Sequence, residues 1–403
     1  MEALANGNWL PRDRVIRVAV LTGIGSIAML VWLFGFGHGT LDPVGRPLGT
    51  DFSEVYAAGK MALWGHAPDA WTWPKHFAVQ RQIQHSATVD VYGWHYPPPF
   101  LLIASALALL PYIPALIVWQ AITLGAFAWL MWRMIPRWET LLLVFAAPVT
   151  LVCIEHGHNG FLTALLLGGG LMMLEENPIT AGFLLGCLIY KPQFGLVIPP
   201  LLLITRNWRA IGGAIVSAAA LVGITLAVWG WPVWQAFLDS LPLTRHVIIE
   251  QGATGWFKIM SPFSAIRMWG GSIGFAYVVQ TAVTVLAIGT VLFLSLRDNI
   301  RLRNAAVAAA VLVSTPYVLD YDYVVLGLSL AWLWLDGEEN GVLDWDRSLM
   351  ALAWFAPIAA RQIAHYTFVP LGLATALIIL ALPVRRSIVR ASPFRRSRAA
   401  LAP

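Results

Sequence analysis

Asp51 and Glu54 stand three residues apart in the stretch GTDFSEVYAAGK, Gly49 to Lys60, of a 403-residue chain that holds only 21 acidic residues. A carboxylate held beside a reacting hydroxyl can take its proton, so this pair is the first candidate for general-base chemistry. The pattern DFSEVYAAGKMALWG predicts a short amphipathic helix of the kind that lies along a surface, with Phe52, Val55, Ala58 and Gly59 on one side. Asp51 falls near its start. A plain N-cap is the competing reading there, and one residue can be both cap and catalyst.

Other polar constellations punctuate the chain. HYPPPF, His95 to Phe100, fixes an extended entry into the next segment, with Tyr96 a candidate substrate contact. EHGHNGFL gathers Glu155, His156, His158 and Asn159 between apolar runs. Two histidines two residues apart, with no HExxH-like spacing, read as a polar turn lining a cavity rather than a metal site. YKPQFG sets Lys191 and Gln193 at a break between short apolar runs. A lysine there is costly and marks function by default, with snorkelling as the alternative. GWFKIMSPFSAIRMWG carries Lys258 and Arg267 among aromatics, as an interfacial anchor or a phosphate-facing surface. STPYVLDYDYVVL carries Asp320 and Asp322, as substrate contacts or as a cap and solvated turn. No P-loop, dinucleotide fingerprint, nucleophile elbow or zinc pattern occurs.

The elements that must position these residues are membrane helices. The chain is 58% hydrophobic and 12% charged, with mean hydropathy +0.69, whereas soluble domains are about 25% charged. Continuous apolar runs, rather than alternating strands, predict an all-α polytopic membrane protein. They lie at 17–37, 97–110, 114–132, 139–153, 160–174, 178–190, 193–205, 209–230, 272–296, 304–316, 321–335, 348–360 and 366–383. That gives about 12–13 full or half-membrane helices. Cys153 and Cys187 fall inside such runs and read as packing residues. The first run is long for a signal peptide and reads as an uncleaved anchor.

The net charge of +5 comes largely from the tail, Arg385 to Arg398, and points to lipid rather than nucleic acid. Arg12, Arg14, Arg17, Arg206, Arg209, Arg297, Arg301, Arg303 and the tail at 384–403 predict the cytoplasmic side. Loop 38–96, the turns near 155–160, 190–193 and 315–321, and loop 231–271 then face the other way. Three segments between residues 96 and 156 cannot all cross, because both ends should be outside. The whole of 1–403 reads as one integral membrane domain in an inner or plasma membrane, with loop 38–96 as its catalytic loop on the periplasmic or extracellular face.

The ordered landmarks Asp51-Phe52, Tyr56 and Gly59, then Tyr96-Pro97-Pro98, Gly157-His158-Asn159, Lys191-Pro192-Gln193 and Ser261-Pro262 resemble glycosyltransferase family 87, the DUF2029 group of the GT-C superfamily. His158 stands where that family often has Gln, and Asp320 and Asp322 stand where it often has a late histidine. The family includes polyprenol-phosphate-mannose-dependent α-1,2-mannosyltransferases. The resemblance implies an inverting hexosyltransferase with Asp51 as general base. It implies a polyprenyl-phosphate sugar as donor, mannose foremost, a lipid or glycan as acceptor, and no metal or cofactor. Lys191, Lys258 and Arg267 are the cation candidates for the leaving phosphate, with His156 and His158 behind them. Glu54, Tyr56, Tyr96, Asn159, Gln193, Asp320 and Asp322 complete the expected substrate-binding set. A lipid or glycan transporter would want midplane charges and repeated halves, which are absent. A membrane ligase of the O-antigen type would carry its large outer loop late, not early.

Overall fold

The computed structural model describes residues 1–297 and 299–391; Arg395, Arg396 and Arg398 of the basic tail lie outside them. The protein is an all-α polytopic membrane protein, with only isolated bridges and no strand among the described residues. Among the described residues, five helices are long and apolar enough to cross a bilayer: Arg12–Gly35, Tyr112–Met134, Trp208–Trp229, Ile273–Ser295 and Leu371–Ala391. On the first of them Leu21, Ile24, Ile27 and Val31 are exposed, as lipid-facing residues are. The centre is helix Ile300–Val313, in which every residue from Leu302 to Val313 is buried.

The three segments between residues 96 and 156 differ in kind. Pro98–Leu107 has ten residues, about 15 Å of helix, and cannot cross a core of about 30 Å. Tyr112–Met134 is long enough to cross. The third is not one helix: Trp138–Ala146 and Pro148–His156 meet at a 53° bend. Pro148 lacks an N–H and would clash with a preceding turn, so the chain restarts its helix there. Of the three, the first is too short to cross, and the bent third is a broken span or a re-entrant loop.

Helix Tyr112–Met134 is about 34 Å long and separates the two ends of the bundle. Near its start, the Tyr112 hydroxyl donates to the Leu48 carbonyl at 2.8 Å. Beyond its end lies the basic end, where Arg12 pairs with Glu139 and Arg137 with Glu338. The tail begins here differently from expectation. Helix Leu371–Ala391 continues through Arg385, Arg386 and Arg390, and Arg386 is fully buried between Asp336 and Asp346, 2.7 Å from each. The acidic connection DGEENGVLDWD therefore neutralises the start of the tail instead of leaving it solvated, because a buried guanidinium needs carboxylate partners.

Candidate active site

Helix Thr50–Leu63 carries Asp51 and Glu54. It does not lie along a surface: eleven of its fourteen residues are buried, and it packs against Pro98–Leu107. Its small residues allow this on every side, so the predicted amphipathic division is lost. Gly59 is the point of closest approach; a Cβ there would sit 2.1 Å from the Ala104 carbonyl oxygen. We expect Gly59→Ala to force the helices apart at a cost of about 1–3 kcal/mol and to lower activity by moving Asp51. Thermal unfolding and turnover of the purified variant check this, and an unchanged melting temperature counts against the packing account.

Asp51 is not the N-cap. Gly49 holds that position at φ 68°, a left-handed conformation, and no side chain caps the helix. The Asp51 carboxylate instead turns toward His156, at the end of helix Pro148–His156, with 3.8 Å from Oδ1 to Nδ1. The imidazole is oriented by its other partners. The Arg361 guanidinium, which can only donate, meets His156 Nε2 at 3.4 Å. Nε2 is then the acceptor and Nδ1 carries the proton, aimed at the Thr50 hydroxyl 2.6 Å away. Thr50 in turn donates toward Asp51 Oδ1 at 3.4 Å. The donors run from Arg361 through His156 and Thr50 to Asp51, which ends the chain as a pure acceptor.

Arg361 pairs with Asp320 at 2.7 Å. It lies on the short helix Ala360–Thr367, in the gap between apolar segments 348–360 and 366–383, and is not among the residues singled out from sequence. The signal was present: ARQIAHYT is polar on one face between two strongly apolar runs. Lys258 approaches the same cluster. It feels Arg361, Asp320 and Asp51, and burial together with Arg361 lowers its pKa below the ordinary lysine value. Lys258 is half-buried, and its ammonium makes no hydrogen bond or ion pair among the described residues, resting near the Phe257 ring.

Tyr321 roofs the site. His158 stacks on its ring at 3.5 Å between centroids, and His156 meets it edge-on at 5.3 Å. Tyr96 shares a 2.9 Å hydrogen bond with His158 Nε2. Burial pushes the Asp51 carboxyl above the usual carboxylate range, while His156, Tyr321 and Arg361 pull it back. Glu54 goes further up, through burial and then the Asp51 charge beside it. His158 is held neutral, chiefly by burial and then by the Lys191 charge.

Several expected site residues lie elsewhere. Lys191 is only 4% exposed at its side chain and pairs with Asp322, itself 2% exposed, at 2.5 Å; it also donates to Asn159 at 3.1 Å. Asp322 further accepts the Leu319 N–H at 3.0 Å. Neither snorkelling nor a solvated turn describes these groups: they form a buried tie between three stretches of chain. Lys191 is thereby occupied and is not a free phosphate cation in this arrangement. Arg267 is occupied as well, donating to the Gly271 and Glu250 carbonyls and stacking on Trp256 at 4.6 Å. Tyr56 donates to the Leu110 carbonyl, away from the cluster. Gln193, part-buried, has no polar partner among the described residues. Cys153 donates to the His158 carbonyl, a packing and turn-holding role.

A polytopic helical bundle that closes a carboxylate–imidazole–guanidinium cluster into one end is a membrane protein with a buried polar site facing one side. The model of glycosyltransferase family 87 matches residues 94–319, more than half of the chain, and the protein belongs to that family; it is a membrane glycosyltransferase. No curated protein and no solved structure matches it. The matched region includes Tyr96, His156, His158, Asn159 and Lys191 and lies outside Asp51, Glu54 and Arg361.

Proposed function

We propose that the protein transfers a hexose, mannose foremost, from a polyprenyl-phosphate sugar to a lipid or glycan acceptor on the non-cytoplasmic face of an inner or plasma membrane. Asp51 is the general base. It takes the proton of the acceptor hydroxyl as that oxygen attacks the anomeric carbon; the bond from that carbon to the phosphate oxygen breaks, its electron pair leaves with the phosphate, and configuration inverts. The observation that carries the reading is the geometry around Asp51: a chain of donors ends on its carboxylate, and two cations, Lys258 and Arg361, stand close by. A phosphate leaving group needs its charge neutralised more than it needs a proton. The concentration of arginines at the opposite end of the bundle supports the sidedness, and a lipid-linked donor suits a polar site held within a membrane protein.

The direct test incubates the purified protein with radiolabelled polyprenyl-phosphate mannose and a membrane-lipid extract. Label moving from donor into a new product supports the reading. Absence of turnover with mannose and with other polyprenyl-phosphate sugars overturns it and returns transport or ligation as the function. Arg361→Ala should lower kcat by about tenfold. This is less than the 10²–10³ typical of a fully enclosed donor, since the Arg361 side chain is 23% exposed and Lys258 shares the charge. Lys258→Ala in that background should cost more than in the wild type. Independent effects in the double variant would argue against a shared phosphate.

A further inference from the structure

The carboxyl of Glu54 is the one acidic group of the cluster that the donor chain leaves unused. It sits one helical turn beyond Asp51, at a spacing that puts both on neighbouring positions of one face. The residue is 7% exposed. It accepts no hydrogen bond from any described residue, yet its oxygens are not sealed off, since they are absent from the fully enclosed polar atoms that lack partners. A buried carboxyl without a partner is costly, and such groups persist where something else supplies the partner.

Its charge acts on two phenols. Burial raises Tyr96 and Tyr317 above the ordinary range, and of the charges near them Glu54 pushes hardest on both. The Tyr96 hydroxyl is shared with His158; the Tyr317 hydroxyl, like the Glu54 carboxyl, has no polar partner among the described residues and keeps some surface. Phe100 lies 4.5 Å from the Tyr96 ring and Trp94 5.2 Å from it, and both are fully buried, so they hold that phenol from behind. A carboxyl free to hydrogen-bond, one turn along the helix from the base, is suited to a ring that presents hydroxyls at its edge. A lipid chain does not match that group, having no hydroxyls to offer.

We propose that Glu54 hydrogen-bonds the ring hydroxyls of the sugar being transferred and so sets which epimer the enzyme accepts. Asp51 and Glu54 then divide the work along one helix. The first faces the acceptor oxygen, and the second holds the donor ring under it. The assignment rests on the reading of the chain as a polyprenyl-phosphate-dependent transferase.

The test compares wild type, Glu54→Gln and Glu54→Asp with polyprenyl-phosphate mannose, glucose and galactose, each at a fixed acceptor, and reports the ratio of kcat/KM between donors. A ratio does not depend on how much of a variant is folded. We expect both variants to lower the preference of the wild type by about tenfold or more, since a site built to bond a hydroxyl discriminates strongly, Glu54→Asp withdraws the carboxyl by one methylene, and Glu54→Gln turns one acceptor oxygen into a donor. Unchanged donor ratios in both variants overturn the assignment. So does a change confined to acceptor preference at fixed donor, which would give Glu54 to the acceptor. A wild type that turns over none of the donors sinks the transferase reading and this inference with it, whereas turnover with unaltered ratios sinks this inference alone.

Discussion

Asp51→Asn is expected to reduce transfer by about 10²–10⁴-fold, the usual worth of a positioned base, while leaving the protein at least as resistant to heat as the wild type. The two halves have one cause. Burial raises the Asp51 pKa in the folded state. A carboxyl raised in this way adds stability when protonated, below its unfolded pKa, and that contribution is lost as pH rises through the folded value. At neutral pH the ionised group therefore costs stability relative to a neutral isostere. Asparagine keeps the shape, can still accept from Thr50, and cannot take a proton. Thermal unfolding across pH should show the variant losing the neutral-pH penalty. Label transfer by the wild type should fall on the acid side, beginning above the ordinary carboxylate range. A variant that transfers as fast as wild type would move the base elsewhere, with Asp320 next in reach of Arg361. A variant that melts much earlier would mean that Asp51 is structural.

Lys191→Met is expected to destabilise the protein by about 3–5 kcal/mol, because it leaves Asp322 charged, buried and unpaired. The double variant Lys191→Met/Asp322→Leu should recover most of that loss, since replacing both members of a buried pair by apolar groups of similar size is often close to neutral. Recovery bears on function as well as on folding. If Lys191 serves only to tie Asn159 and Asp322 together, the double variant should melt near the wild type and retain transfer. If Lys191 leaves Asp322 to hold the donor phosphate during turnover, the double variant will be stable and inactive. Unfolding of the detergent-solubilised proteins, followed by the donor assay, separates the two. A single variant as stable as wild type would contradict the burial of the pair.

Why some of this could be read in advance is clear residue by residue. Asp51 stands out in sequence because a carboxylate among Phe52, Val55 and small residues has to be accounted for. Gly59 belongs to the same motif, and the Ala104 carbonyl shows why: the two helices meet at a glycine. Lys191, Asn159 and Asp322 are each visible as polar breaks in apolar sequence. Their mutual contact is not, because Lys191 and Asp322 are 131 residues apart. Each was expected to face a substrate; in the fold Lys191 pairs with Asp322 and donates to the Asn159 side-chain oxygen.

Hydrophobic patterning along the chain therefore determined by itself that this is an all-helical membrane protein, roughly where its segments begin and end, and which polar residues are out of place within them. Those follow from composition and local period, since a bilayer tolerates only backbone whose hydrogen bonds are made within the protein, and continuous apolar runs meet that as helices. Tertiary structure alone decided the rest. It buried the helix of Asp51 instead of laying it on a surface, shortened the segment at Pro98–Leu107, folded Arg386 into an acidic pocket, and brought Arg361 from 310 positions away to the end of a donor chain on Asp51. Partner choice among charged groups depends on which of them are desolvated side by side, and that is a property of the packed bundle rather than of any stretch of sequence.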